Sequence, residues 1–509
     1  MEEIKMNETV KRHSWIPLIL VACASFIITL DATFMNVSIS KVVVDLHTDV
    51  STIQLIMSFY TLITAAFMLL STKLQDIVGK KKLFVIGTIL YGVGTFTAAI
   101  SWNTGVLFIG WALIEGIAGA LMTPATVSLI SGIYHGEQRT FALAIESVMV
   151  SISAAVGPLF GGVMTTFFSW RWGFAIELIF VIFILVMQSK IPDFEPTESR
   201  KDLDITGAII SLIGLVLFVW GILMLTKDTS TSIMVIVAGL IILAAFAWFE
   251  SRRKSNGKVP LLDMGLFKDR NLRVGAIIRL IGCLAMGGAL FAVSLFLQSV
   301  MQLNALNTGL TTLPMTIGLL IFAIAAPSLS TKVGHKKLIA LGSLIAIIGC
   351  VILSFQFRLN TSMYDLMPGL FVLGAGLGFV MSLSTDISLA NVPKENENNA
   401  SGVLTTTQTL GESMGTAIIG VILILGVMGG LSTAIDMYAP DHSGDQQFFN
   451  DAANYLQTAG TQDNVTQDSI LVKAVDTIIQ EAMGFVMIVT AILLAIVFIA
   501  TLRLQPRKQ

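Results

Sequence analysis

Long apolar runs broken by short polar stretches follow one another along this chain. A run of about 20 apolar residues can cross the hydrocarbon of a bilayer as a helix, which satisfies its own backbone hydrogen bonds where no water is available. The pattern predicts fourteen such helices, at about 16–39, 52–72, 83–101, 106–131, 141–166, 172–189, 205–225, 232–250, 273–298, 309–330, 338–356, 366–389, 402–428 and 482–503. An even number puts both termini on one side. The polar stretches alternate in charge. Of the 31 Lys+Arg, only Lys41, Arg171, Lys227, Arg358 and Lys473 fall in one set of alternate loops, and Arg279 falls inside a span. The others lie in the opposite set or in the tails. Cationic loops stay in the cytoplasm, so both termini are expected there. The longest exterior loop, about 430–478, is polar and Asp-rich, and is expected to be disordered or weakly helical.

One polar stretch occurs twice. "LSTKLQDIVGKKKLFVIG" (Leu70 to Gly87) and "APSLSTKVGHKKLIALG" (Ala326 to Gly342) match at an offset of 255, Gly79 falling on Gly334, Lys81 on Lys336 and Lys82 on Lys337. Each stretch joins the second and third helix of a six-helix set, which makes the offset an internal repeat of the kind that builds transporters. The boundaries read as a cytoplasmic N-terminus (1–14), a six-helix half (15–190), a linker (191–204), two surplus helices (205–250), a second linker (251–272), a second six-helix half (273–503) and a tail (504–509). The fold class is an all-α polytopic membrane protein.

Composition agrees with this pattern. Hydrophobic residues make up 54% and charged residues 13%, against about 25% charged in soluble domains. Mean hydropathy is +0.82. The first apolar run is too long for a signal peptide and lacks a small-residue cleavage site, so it is expected to be retained as a span. Cys23, Cys283 and Cys350 lie far apart in apolar runs and read as small apolar fillers. The five histidines sit in loops or at the ends of runs, and neither an HExxH nor a Walker A sequence occurs. No catalytic set, metal site, cofactor or nucleic-acid partner is expected.

Five stretches resemble the major facilitator superfamily, and within it the fourteen-span drug:proton antiporter branch. "KLQDIVGKKK" is similar to the loop motif after span two, "LDATFMNVSIS" to the first-span motif, and "GPLFGG" on span five to the antiporter motif. "SWRWGF" and "PLLDMGLF" match stretches that recur before spans six and nine. The resemblance implies a gating role for Asp76, Gly79, Lys80 and Lys81, and an export-linked sealing role for Gly157, Pro158, Gly161 and Gly162. It also exposes departures: Ala112 stands where the family carries a span-four Arg, and Glu177 where it carries an Asn. Proline and glycines on span five also have a plainer reading as a packing kink, and the lysines as topology determinants.

Ionisable residues within the hydrocarbon are functional candidates because each costs at least about 2.5–3.5 kcal/mol near mid-helix. Asp31, Glu115, Glu412, Glu177 and Glu146 qualify, with Arg279 the one basic residue. A carboxyl group out of water favours its neutral form, which lets it trade a proton for a cation. Trp111, Phe59, Tyr60, Phe34, Phe291 and Phe296 are candidates to line a cation-attracting cavity. Structural alternatives stand beside these roles: Asp31 bonded to Asn36 or a neighbouring helix, Glu177 paired with Arg171, Arg279 paired with an acid across the halves. The expected function is export of amphipathic, often cationic compounds from the cell in exchange for protons, with the proton gradient as energy source, lipid and small amphipathic substrates as partners, and a monomeric state. A dedicated exporter of one compound, or a proton symporter, is the alternative.

Overall fold

Segments that cannot find water must close their own backbone hydrogen bonds, and a helix occupies each of the fourteen predicted positions. The computed structural model describes residues 14–196, 204–225, 228–258, 260–390, 392, 397–438 and 470–505. The first half comprises α1 (Ile16–Phe34), α2 (Val50–Val78), α3 (Lys80–Ala99), α4 (Thr104–Ile133), α5 (Gly136–Phe167) and α6 (Arg171–Met187). The surplus pair is α7 (Ile205–Met224) and α8 (Thr229–Ser255). The second half comprises α9 (Arg270–Ser299), α10 (Ala305–Val333), α11 (His335–Gln356), α12 (Met363–Leu389), α13 (Glu397–Tyr438) and α14 (Ile470–Leu502). In α5 the stretches Phe141–Ala154 and Val156–Phe167 meet at a 41° bend. The cause is Pro158, which has no N–H to donate to the Ala154 carbonyl.

Several helix ends differ from the expected boundaries. The first span is not one helix to residue 39: α1 gives way to a 3₁₀ turn at Met35–Val37 and a short helix at Ile39–Asp45. α13 and α14 run into the predicted loop 430–478 from both sides, because Leu431, Ala434, Ile435 and Ile478 form a small apolar cluster that continues their packing. The middle of that loop, 439–469, lies outside the described residues. α8 continues to Ser255, past the predicted end at 250.

The repeat is visible in the backbone. Gly79 and Gly334 both take positive φ, +98° and +92°, and each breaks the chain between two antiparallel spans. The following lysines also correspond. Lys81 Nζ lies 3.0 Å from Asp193, just beyond α6. Lys336 Nζ donates to the Leu502 carbonyl at 2.6 Å and the Leu504 carbonyl at 3.3 Å, at the end of α14. In each half the basic hinge thus reaches the end of the sixth helix and closes the ring of helices.

The halves are tied together at the end remote from Ser14 and Gln505, here the far end. Gln298 bridges across, donating to the Asn36 carbonyl and accepting from Ser40 N, both at 2.9 Å. Gln54 donates to the Thr416 carbonyl at 3.0 Å, Ser413 to the Ser58 carbonyl at 2.8 Å, and Leu306 N to Thr166 Oγ1 at 3.1 Å. These bonds close the far end. α7 lies against both α2 and α13, with Leu215, Val219 and Ile222 buried beside Phe59.

Positive φ of this kind is close to glycine-only and costs other residues about 1–3 kcal/mol. At Gly79 a Cβ would also stand 2.8 Å from the Phe194 carbonyl, whereas at Gly334 nothing lies within 4 Å. Gly334→Ala is therefore expected to cost about 1–3 kcal/mol, and Gly79→Ala more. Thermal unfolding in detergent measures both, and equal costs would remove the role given to the Phe194 contact.

Candidate functional site

Three of the predicted acids come together. Asp31 on α1, Glu115 on α4 and Glu177 on α6 are fully buried, and one carboxylate oxygen of each lies within 4.8 Å of the others. All three sit in the far half of the first bundle, beneath the closed end. Local structure explains the convergence. Gly94 of α3 and Gly110 of α4 meet with no room for side chains: a Cβ on Gly94 would lie 2.8 Å from the Gly110 carbonyl and from Glu115 N. Over Phe108–Glu115 α4 winds as a π-helix, a local widening that is frequent at functional sites. Trp111 and Glu115 both belong to that segment.

Each acid has different partners. Trp111 Nε1 donates to Asp31 Oδ2 at 2.7 Å. Tyr91 and Thr95, one turn apart on α3, donate to Glu177 Oε2 at 3.2 and 3.1 Å. Both oxygens of Glu115, Asp31 Oδ1 and Glu177 Oε1 lack a well-formed hydrogen bond. Aromatic rings wall the group: Tyr60 stacks on Trp111 with centroids 5.2 Å apart, and Phe174 meets Trp111 and Phe34 edge-on. Two ionised carboxylates at this separation repel by about 3–4 kcal/mol even at an effective dielectric of 20. The cluster therefore holds protons, or a cation, rather than three free charges. Its donors are all oxygens, a set that suits a hard cation or an ammonium group better than a thiophilic metal.

A second polar group lies in the other half. Arg279 of α9 donates to Thr385 Oγ1 and to Gln408 Oε1, and Gln408 Nε2 donates to Glu412 Oε1 at 3.2 Å. Gln408 thus relays between the arginine and the acid.

The structure corrects several of the sequence alternatives. Glu177 does not pair with Arg171. Arg171 lies 3.6 Å from Asp45 and donates to the Ser101 carbonyl, at the far surface, while Glu177 points inward from α6. Asp31 does not bond Asn36, whose amide donates to the Ala32 carbonyl, but it does bond a neighbouring helix, α4, through Trp111. The partners described for Arg279 all lie in its own half. Phe296 packs against Phe357 in the core of the second half, centroids 4.9 Å apart, away from the acids. Glu146 accepts from Ser25 at 3.0 Å, closer to the termini than the cluster.

The remaining motif residues frame the site. In the hinge, Lys80 stands 5.6 Å from the Phe194 ring, and Lys81 is held by Asp193; Asp76 is the last acid of α2. On α5, Cβ atoms at Gly157 and Gly161 would collide with Thr33 and with the Phe34 carbonyl, and one at Gly162 would lie 2.7 Å from the Ala305 carbonyl of α10. Gly309 of α10 packs in turn on the Pro158 carbonyl. The motif therefore presses the Asp31 turn of α1 on one side and the second half on the other. Tyr91, Thr95 and Gln408 were not singled out in the sequence. Their only signal was a polar side chain on an otherwise apolar helix.

The profile of the Major Facilitator Superfamily matches residues 21–416. Among curated relatives, the probable actinorhodin transporter of Streptomyces coelicolor is 28% identical over 433 residues, 82% of this chain and 74% of the relative. The multidrug efflux pump LfrA of Mycolicibacterium smegmatis is 26% identical over 413 residues, 81% of each chain. Among solved structures, a bacterial homologue of the human lysosomal transporter Spinster superposes with a TM-score of 0.65 at 13% identity, covering 97% of this chain and 98% of that one. This last likeness concerns the fold alone.

If the Tyr91 hydroxyl supports Glu177, Tyr91→Phe costs about 1–2 kcal/mol in the wild type and less in a Glu177→Leu background, where only the Ile27 carbonyl, 3.3 Å away, remains as its acceptor. Arg171→Ala leaves that coupling unchanged. A double-mutant cycle from thermal unfolding measures it, and a Tyr91→Phe cost that ignores residue 177 would dissolve the pairing.

Proposed function

The chain belongs to the Major Facilitator Superfamily, and from that membership we propose that it is a secondary exporter of amphipathic, often cationic compounds, driven by protons moving the other way. It is a multi-pass membrane transporter; the proposal adds the substrate class, the coupling and the direction. One observation carries it: three carboxyl groups from three helices share a buried, aromatic-walled space beneath a closed far end. The charge pattern of the loops supports cytoplasmic termini, and a cell-membrane location is part of the same proposal. The far end is then exterior, and the state described here is closed to the outside. The reading needs no cofactor and no second copy of the chain.

The mechanism follows from competition. Protonated, the cluster is neutral and tolerates burial. A cationic compound stabilises the ionised form and is held by the same carboxylates and by the faces of Tyr60 and Trp111. Both cannot occupy the site, so cargo displaces protons and protons displace cargo. Asp31 links this exchange to the seal, because its turn of α1 is packed against Gly157 and Gly161 and thereby, through Gly162, against α10. Glu412, relayed to Arg279 through Gln408, is assigned a proton-handling role in the second half. The hinge with Asp76, Gly79, Lys80 and Lys81 is assigned to the rocking of the halves. The name of the multidrug pump from Mycolicibacterium supports a broad substrate range, whereas that of the actinorhodin transporter favours the alternative, a dedicated exporter of one compound.

Inside-out vesicles from cells expressing wild type or Asp31→Asn, acidified in the lumen and followed with a pH-sensitive dye, test this reading. Lipophilic cations are expected to release lumenal protons in the wild type and at least tenfold more slowly in Asp31→Asn. Equal rates would make Asp31 structural. No cation-dependent release in wild type would overturn the cationic, proton-coupled reading.

A further inference from the structure

At the terminal end of the second half, α9 and α14 diverge around a groove of about 590 Å³ that no part of the transport site uses. Its rim carries three arginines, Arg270 and Arg273 from the first turn of α9 and Arg503 just after α14, all exposed. Its walls are Ile277, Ile496 and Ile499, each still 42–55% exposed. Arg273 donates one bond, to the Phe267 carbonyl at 3.3 Å. Among the described residues no carboxylate forms an ion pair with any of the three. The neighbouring Asp269 is occupied as the helix cap, accepting from Leu272 N at 2.8 Å.

The rim is held in place. Asn271 and Gln505 exchange two hydrogen bonds, Gln505 N to Asn271 Oδ1 at 2.9 Å and Asn271 Nδ2 to the Gln505 carbonyl at 3.3 Å. Lys336 binds the Leu502 and Leu504 carbonyls on either side of Arg503. The post-helical segment therefore keeps Arg503 facing the two arginines of α9, against their mutual repulsion. Along α14 the walls continue inward from Arg503 through Ile499 to Ile496, a depth of about 10 Å at 1.5 Å per residue.

We propose that this groove binds an anionic phospholipid of the leaflet on the terminal side, its phosphate held by Arg270, Arg273 and Arg503 and its acyl chains along the isoleucine walls. Guanidinium groups match phosphate oxygens in a bidentate fork, and basic pockets between spans at this level suit anionic headgroups. Free inorganic phosphate would satisfy the rim but leave the apolar walls uncovered, so a lipid is the occupant that matches both. The bound lipid joins the start of α9 to the end of α14 and braces the second half at the end where the far-end bonds do not reach.

The test uses the full chain in detergent, with native mass spectrometry and thermal unfolding at increasing phosphatidylglycerol, phosphatidylcholine or inorganic phosphate. Wild type is expected to retain phosphatidylglycerol and to be stabilised by it over phosphatidylcholine. In the variant carrying Arg270→Gln, Arg273→Gln and Arg503→Gln this preference falls by roughly 100-fold, at about 1 kcal/mol per cation. The charge-matched variant carrying Lys82→Gln, Lys332→Gln and Lys337→Gln keeps it. Should the triple arginine variant fail to fold, Arg503→Gln alone is expected to lose several-fold. Equal phosphatidylglycerol preference in wild type and arginine variants, equal loss in the lysine variant, or the same stabilisation by inorganic phosphate would each overturn the proposal.

Discussion

A charged group taken out of water must find a partner or give up its charge. In lipid that rule governs the whole molecule. Backbone groups obey it by forming helices. Side chains obey it by clustering. Asp31, Glu115 and Glu177 gather around Trp111, Tyr91 and Thr95, and four of their oxygens still lack a good donor. A site left in that condition is one that a proton or a cation completes. The function proposed here follows from this unmet demand more than from any single residue.

The two halves meet the rule differently. The first half carries four acids, three of them clustered, and no basic residue within its predicted spans. The second carries Arg279 and Glu412, with Gln408 between them. The repeat is retained in the hinges, where Gly79 and Gly334 take the same turn and Lys81 and Lys336 reach the end of their own sixth helix. It is lost in the cores, where the chemistry resides. A shared scaffold with divergent interiors leaves the three clustered acids in one half and the chain from Arg279 through Gln408 to Glu412 in the other. The surplus pair α7–α8 lies outside both halves, and α7 covers the line where α2 and α13 meet.

Close backbone packing couples the acids to the closed end. Glycines at 157, 161 and 162 bring α5 against the Asp31 turn and against α10. A charge change at Asp31 and a displacement of the seam therefore act on the same few contacts. Contacts this close leave little room for α5 to move independently of α1 and α10.

Much was determined by the sequence alone. The fourteen helices, the two-fold repeat and the identity of the intramembrane acids are all legible, because lipid forces apolar runs of fixed length and makes each charge conspicuous. Local signals of that kind do not reveal partners. Nothing in the spacing of Glu177 and Arg171 excluded the ion pair between them; only the fold turned one inward to Tyr91 and Thr95 and left the other at the surface with Asp45. The grouping of residues 31, 115 and 177, far apart in the chain, depends on how α1, α4 and α6 rotate against one another. That rotation is decided by side-chain fit over whole helices, and by the π-helical turn at Phe108–Glu115, which apolar periodicity does not encode.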